Sequence, residues 1–278
     1  MEYEIRQTFF ETDQEFKQLV ELQNAVYGEK SFTTEIFKFW YIDNPQGRVL
    51  SFNAFVGEKM IAHYACIPIQ MKIGKCIVEG IHSMATVTHP DYRGKGLFKQ
   101  LARLTYDYAK EHGYKFVLGV ANKNSFPGFI KYFNFTFIAQ LDVKWGWGNI
   151  GGCKRDIIYS RYWDAQSLAW RLNKPRYAWY KNMIVGKYKN IVGLKTLMGY
   201  FTPELIKRTG IRETKNIFRP FNLYIGLGAD LSKGCYFNFP KFIKHSPFNL
   251  IFLDLTDGEL PPVNRDNIFF QLIDFDVA

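Results

Sequence analysis

The stretch from Met84 to His112, MATVTHPDYRGKGLFKQLARLTYDYAKEH, reads as a strand that passes through a glycine turn into a helix. Residues Ile81 to Thr88 are rich in β-branched and small side chains, and His89-Pro90-Asp91 supplies the turn chemistry that ends the strand. The helix carries Leu97, Leu101, Leu104 and Tyr108 at spacings of four, three and four, with Lys99, Arg103, Asp107 and Lys110 on its other faces, and Gly113 closes it. Between strand and helix, Arg93-Gly94-Lys95-Gly96 turns the backbone tightly and leaves amide N–H groups free at a helix N-terminus. Such a turn is a preformed site for a phosphate or pyrophosphate, to which Arg93 and Lys95 add positive charge. A plain connecting turn is the other reading of a lone RGKG string.

This is neither the dinucleotide pattern, which needs Gly-x-Gly-x-x-Gly, nor a Walker loop, which needs Gly-Lys followed by Ser or Thr. It resembles the acetyl-CoA binding segment of the GNAT superfamily of N-acetyltransferases, whose signature Arg/Gln-x-x-Gly-x-Gly/Ala follows a strand and precedes a helix. Arg93, Gly96 and Phe98 occupy the signature positions, Phe98 standing where the family has a small residue. The resemblance covers about residues 50 to 143. It implies the GNAT fold, an α+β architecture with a mostly antiparallel mixed sheet and one β-α-β crossover, with acetyl-CoA as cosubstrate. It also implies that the amides of Arg93, Gly94, Lys95, Gly96, Leu97 and Phe98 hold the pyrophosphate. The backbone around Val87 and Thr88 is then expected to pair with the pantetheine arm and polarise the thioester carbonyl.

Other roles carry over residue by residue. Asn122 and Asn124 are candidates for hydrogen bonds to the CoA arm, against a role as caps of the following helix through Ser125. The family's Tyr-x-x-x-Gly-Phe pattern falls on Ile130-Lys131-Tyr132-Phe133-Asn134-Phe135. Ile130 thus replaces the tyrosine that protonates the departing thiolate, Asn134 replaces the glycine, and Tyr132 points elsewhere round the helix. A general base must reach the acceptor ammonium from on or near the central strand, which makes His82 and Glu79 the catalytic candidates. A strand histidine is also read as a satisfied structural residue.

With 278 residues, 47% of them hydrophobic and 18% aromatic, the chain can bury a sizeable core and lacks the composition of a disordered protein. Cys66, Cys76, Cys153 and Cys235 form no Cys-x-x-Cys pair and have no histidine at ligand spacing, which reads as reduced thiols and no metal site. No apolar run approaches the length of a membrane span and the opening MEYEIRQTFFETDQEF is too charged for a signal peptide, so the expected location is cytoplasmic. The formal charge of +10 is uneven: residues 151–219 hold 15 Lys and Arg against 4 Asp and Glu, whereas 1–150 hold 17 against 15 and 220–278 hold 4 against 7. A solvated basic surface and a phosphate-bearing partner both fit this excess, and no nucleic-acid motif accompanies it.

In chain order, Thr12-Asp13-Gln14-Glu15 reads as a capping box for a first helix ending at Gly28, and Phe37 to Pro45 as a short aromatic helix. Strands are expected at Val49–Val56, Met60–Ile67, Gln70–Ile73 and Cys76–Val78, in two hairpins, then at Lys115–Ala121. A helix over Phe126–Phe133 and a strand over Phe135–Val143 follow. Trp40 and Pro45 in FWYIDNP are echoed by Trp170 and Pro175 in AWRLNKP, and VGEKMI from Val56 by VGKYKNI from Val185. The repeat implies two copies of one unit, a GNAT domain over 1–148 and a degenerate GNAT-like domain over 149–278 that lacks the arginine-glycine loop.

These readings converge on an acetyl-CoA dependent N-acyltransferase that acts on the primary amine of a small acceptor. A phosphorylated acceptor such as a nucleotide-linked amino sugar and a carboxylated, amino acid-like one are equal expectations. The alternatives are a CoA-binding or scaffold module without catalysis, favoured by Ile130, and an aminoacyl-tRNA dependent transferase, permitted by the basic segment.

Overall fold

The computed structural model describes residues 2–28, 32–148, 150, 152–153, 156–173, 189–191, 194–211, 221–240 and 246–275. Pro175 and 185–188 of the second repeat lie outside them, as do 174–188 and 212–219 of the basic segment.

After strand β1 (Glu4–Gln7), the reciprocal cap expected at Thr12 is present: Glu15 N donates to Thr12 Oγ1 at 3.3 Å and Thr12 N donates to Glu15 Oε2 at 2.8 Å. It starts helix α1 (Asp13–Tyr27), and α2 (Thr34–Tyr41) follows, burying Phe37, Phe39, Trp40 and Tyr41. The first half continues as β2 (Leu50–Val56), β3 (Lys59–Ile73), β4 (Cys76–Thr88), α3 (Leu97–Glu111), β5 (Phe116–Ala121), α4 (Phe126–Phe133), β6 (Thr136–Gln140) and β7 (Asp142–Gly148). The second half contains β8 (Tyr159–Arg161), α5 (Ala165–Leu172), β9 (Lys189–Ile191), β10 (Leu194–Leu197), α6 (Pro203–Arg208), β11 (Asn222–Leu227), β12 (Gly234–Asn238), β13 (Asn249–Asp254) and β14 (Ile268–Gln271).

Both expected hairpins form, but they share one long strand, β3, because Pro68 does not break it. Its carbonyl accepts from Asn44 Nδ2, so its nitrogen faces away from β4 and no ladder bond is lost. Leu104 is 38% exposed, since α3 instead buries Leu97, Leu101, Ala102, Thr105, Tyr106 and Ala109, whose small members bring the helix close to the sheet. The strand expected over Phe135–Val143 divides at Leu141, where the chain leaves β6 for a different place in the sheet.

That place explains the architecture. The described strands form one sheet along the path β12-β7-β11-β14-β8-β3-β4-β5-β13-β6, mostly antiparallel. β7, from the first half, lies antiparallel between β11 and β12 of the second. β13, from the second half, lies antiparallel between β5 and β6 of the first. Each half therefore lends a strand to the other, and a cut at 148/149 passes through a shared sheet. Helices α1, α2 and α5 bury Phe16, Leu19, Phe37, Trp40, Leu168 and Trp170 on one face, while α3 and α4 bury Leu97, Leu101, Tyr106, Phe129 and Phe133 on the other. The repeat tryptophans meet where the halves join: the Trp170 ring stacks on Phe39 at 4.9 Å, lies edge-on to Trp40 at 5.4 Å, and its Nε1 donates to Phe39 O.

Candidate active site

The parallel pair β4 and β5 is joined by the crossover helix α3, and the two strands are in register only at Ile81↔Val117, His82↔Leu118 and Ser83↔Gly119. Beyond Ser83 they part. β4 continues to Thr88 along β3, whereas β5 turns its far edge to β13, so a fork opens between Met84–Thr88 and the end of β5.

A bulge shapes the fork's first wall. Register slips between Tyr64 and Ala65, leaving Ala85 opposite no residue of β3, and its φ of 31° is a backbone state that L-residues rarely adopt. His89 N donates to Ile61 O, so by alternation Val87 turns its amide and carbonyl toward His63. Thr86 and Thr88 turn theirs away from β3, and on that side Thr86 O accepts from the Tyr27 hydroxyl at 3.5 Å. Val87, expected to offer a backbone contact, thus has its amide and carbonyl turned into the ladder with β3, whereas those of Thr88 turn the other way. No periodicity argument locates that shift, because the bulge inserts one residue into the alternation.

At the wide end lies the glycine loop. Gly94 and Gly96 have φ of 79° and 73°, and an added Cβ would meet nothing within 4 Å at Gly94 and only Gln100 Nε2 at 3.9 Å at Gly96. Gly96 precedes α3 without a side-chain cap, so the first-turn amides of Leu97, Phe98 and Lys99 have no acceptor in the helix. Arg93 Nε donates to Thr88 O at 3.4 Å, tying the loop to the end of β4, and Lys95 Nζ stands 4.9 Å from the Tyr92 ring centre. An open loop of free amides beside cationic side chains fits a pyrophosphate, and an unpaired strand edge running from it fits an extended amide-bearing arm. Phe98 does not obstruct it. The ring turns inward against Tyr64, Phe129 and Phe133, over Gly128, where a Cβ would approach it to 2.9 Å.

The remaining expected residues are distributed unevenly. His82 is 6% exposed at the narrow end of the fork, paired with Ile67 and Leu118 on the face covered by α1 and α2. Glu79 is exposed, accepts from Gln70 Nε2 at 3.3 Å, and lies four residues before Ser83, roughly 13 Å back along the strand and outside the fork. Asn122 Oδ1 accepts from the amides of Asn124 and Ser125 at 2.9 and 3.0 Å, organising the turn into α4 and leaving Nδ2 as its free donor. Asn124 is exposed beside it. Tyr132 is 41% exposed, its ring centre 5.2 Å from Lys99 Nζ and 5.6 Å from Lys131 Nζ. Asn134 has φ 56°, doing at the C-cap of α4 what the family's glycine does.

Among the described residues, no three or more His, Cys, Asp or Glu converge as a metal site, and no helix is long and apolar enough to cross a membrane.

The model of the acetyltransferase (GNAT) domain matches residues 10–138. Among solved structures, a conserved protein of unknown function from Enterococcus faecalis V583, a probable N-acyltransferase, superposes with a TM-score of 0.59 at 10% identity, over 92% of this chain and 73% of that one. A tandem GNAT protein from the clavulanic acid biosynthesis pathway covers 52% of this chain and 48% of its own at 11% identity and a TM-score of 0.40. Glucosamine-6-phosphate N-acetyltransferase from Arabidopsis thaliana covers 47% of this chain and 90% of its own at 18% identity and a TM-score of 0.37. No curated protein matches. The likeness to the Enterococcus protein is one of fold, and it extends over both halves. Residues 10–138 of this chain are thus identified as an acetyltransferase (GNAT) domain.

Proposed function

We propose that the protein transfers the acetyl group of acetyl-CoA to the primary amine of a small acceptor. The observation that carries this reading is the fork between β4 and β5, with the glycine loop at its mouth. The amides from Gly94 to Phe98 and the side chains of Arg93 and Lys95 hold the phosphates. Thr86 and Thr88 offer the backbone groups that align the arm, and the bulge at Ala85 orients the wall where the carbonyl is polarised. His82, buried at the narrow end on the face covered by α1 and α2, is the proposed proton acceptor; Glu79 acts only if a water chain spans its distance. The acceptor class rests on charge, since the excess of Lys and Arg in 151–219 suits an amine that carries a phosphate or a carboxylate.

We also read the two halves as copies of one GNAT-like unit, 1–148 and 149–278. The reciprocal exchange of β7 and β13 and the contact of Trp40 with Trp170 support it.

The test is calorimetric titration of the full chain with acetyl-CoA and CoA, then of Gly96→Tyr. The tyrosine ring blocks approach to the loop amides, and CoA binding is expected to fall at least a hundredfold while the melting transition stays cooperative. Unchanged affinity in that variant ends the site assignment. A second reading, a CoA-binding module without turnover, is favoured by Ile130 in place of the tyrosine; acetylation of any amine in a screen removes it.

A further inference from the structure

The family's thiolate-protonating tyrosine is absent at Ile130, yet the fork contains a hydroxyl at its narrow end. Ser83 is the last residue at which β4 and β5 pair, opposite Gly119, whose missing side chain lets Ile251 of β13 pack close beside Ser83. Ser83 Oγ lies 2.7 Å from the Tyr64 hydroxyl, which lies 2.5 Å from the Tyr106 hydroxyl and 3.7 Å from Cys66 Sγ. Tyr64 and Tyr106 are 0% and 5% exposed, on β3 and α3, and burial pushes both phenols well above their ordinary range, so both keep their protons.

The direction of this chain of hydroxyls follows from counting donors and acceptors. Tyr106 has no other acceptor among the described residues, so its hydrogen goes to Tyr64. Cys66 donates to the same oxygen. With both lone pairs of Tyr64 occupied, its own hydrogen goes to Ser83 Oγ. Ser83 therefore accepts within the core, and its one hydrogen is left for the fork.

We propose that the Ser83 hydroxyl is the hydrogen-bond donor to the sulfur of bound CoA and its thioester, with Tyr64 and Tyr106 as the positioning residues that turn it there. This rests on the CoA reading above. From Thr88, beside the phosphate loop, to Ser83 is five residues, roughly 16 Å of strand, so an arm laid along the unpaired edge brings its far end to Ser83. As the carbon–sulfur bond lengthens, negative charge gathers on sulfur, and a donor already aimed at it stabilises the departure without reorganising.

The experiment compares CoA with desulfo-CoA, in which hydrogen replaces the thiol, by calorimetry on the full chain. The native protein is expected to prefer CoA by roughly fivefold, the scale of one net hydrogen bond. Ser83→Ala is expected to lower the ratio by that factor with desulfo-CoA affinity unchanged, Ser83→Thr to restore it, and Tyr64→Phe, which keeps the ring against Phe98, to lower it in part. An unchanged ratio in Ser83→Ala, or an equal fall in both affinities, overturns the role of Ser83 and leaves the CoA site standing. Binding of neither probe to the native protein overturns the CoA reading and this assignment together.

Discussion

Enclosure sets the behaviour of His63. It is 1% exposed on β3, with Nε2 2.8 Å from the Tyr41 hydroxyl and Nδ1 2.6 Å from Asn53 Oδ1. The amide oxygen accepts, so Nδ1 carries the hydrogen and Nε2 accepts from Tyr41. Burial lowers the pKa of His63 to about 3 from 6.5. Because the folded value is depressed, its stabilising contribution is complete above 6.5 and is lost as pH falls toward 3, at about 1.4 kcal/mol per unit. Asp274 acts in the opposite sense. Burial raises its pKa to about 6 from 3.8, although Trp163 Nε1 and Gln271 N both donate to it, so its contribution is present below 3.8 and lost as pH rises through 6. Urea unfolding midpoints from pH 7.5 to 4 should fall for the native chain less steeply than His63 alone dictates. In His63→Gln the midpoint should hold steady or rise across the same range; a continued fall would assign the acid sensitivity to other groups.

At the scale of elements, α4 ends on Asn134 in the left-handed region. Asn134→Ala is expected to cost about 1 kcal/mol and Asn134→Gly close to nothing, read as melting temperatures. Elements with local causes were legible in the sequence: the Thr12–Glu15 cap, the ends of α4, the glycine loop and the helix after it. Each depends on residues a turn apart. The strands were less so, because whether Pro68 breaks β3 depends on which side its nitrogen faces, a property of the sheet and not of the segment. The fork was legible only as a loop. Ser83, Tyr64 and Tyr106 come from β4, β3 and α3, and only the β3–β4 register and the packing of α3 bring their hydroxyls together. A small polar residue in an apolar strand, matched by tyrosines facing the same core, was the available signal. The basic segment misled in one respect: Arg161 and Arg171 are not surface charges. Arg161 donates to Gln70 O, and Arg171, 3% exposed, donates to Ile273 O and Phe275 O, fastening the last strand region to α5.

At the scale of the whole molecule, the exchange of β7 and β13 makes each half the other's missing strand. A fragment of residues 1–148 leaves the facing edges of β5 and β6 unpaired and β7 without its neighbours, and is expected to be insoluble or aggregated when made alone. Co-expression with 149–278 should return soluble material that elutes as one complex. A soluble, cooperatively melting 1–148 would show that β13 is dispensable. The same exchange has a bearing on synthesis. A ribosome delivers the glycine loop and both arms of the fork long before residues 249–254, yet β5 acquires its outer neighbour only from them. The nascent chain must keep two sheet edges from pairing with anything else through most of translation, so the strand made almost last decides when a functional enzyme first exists.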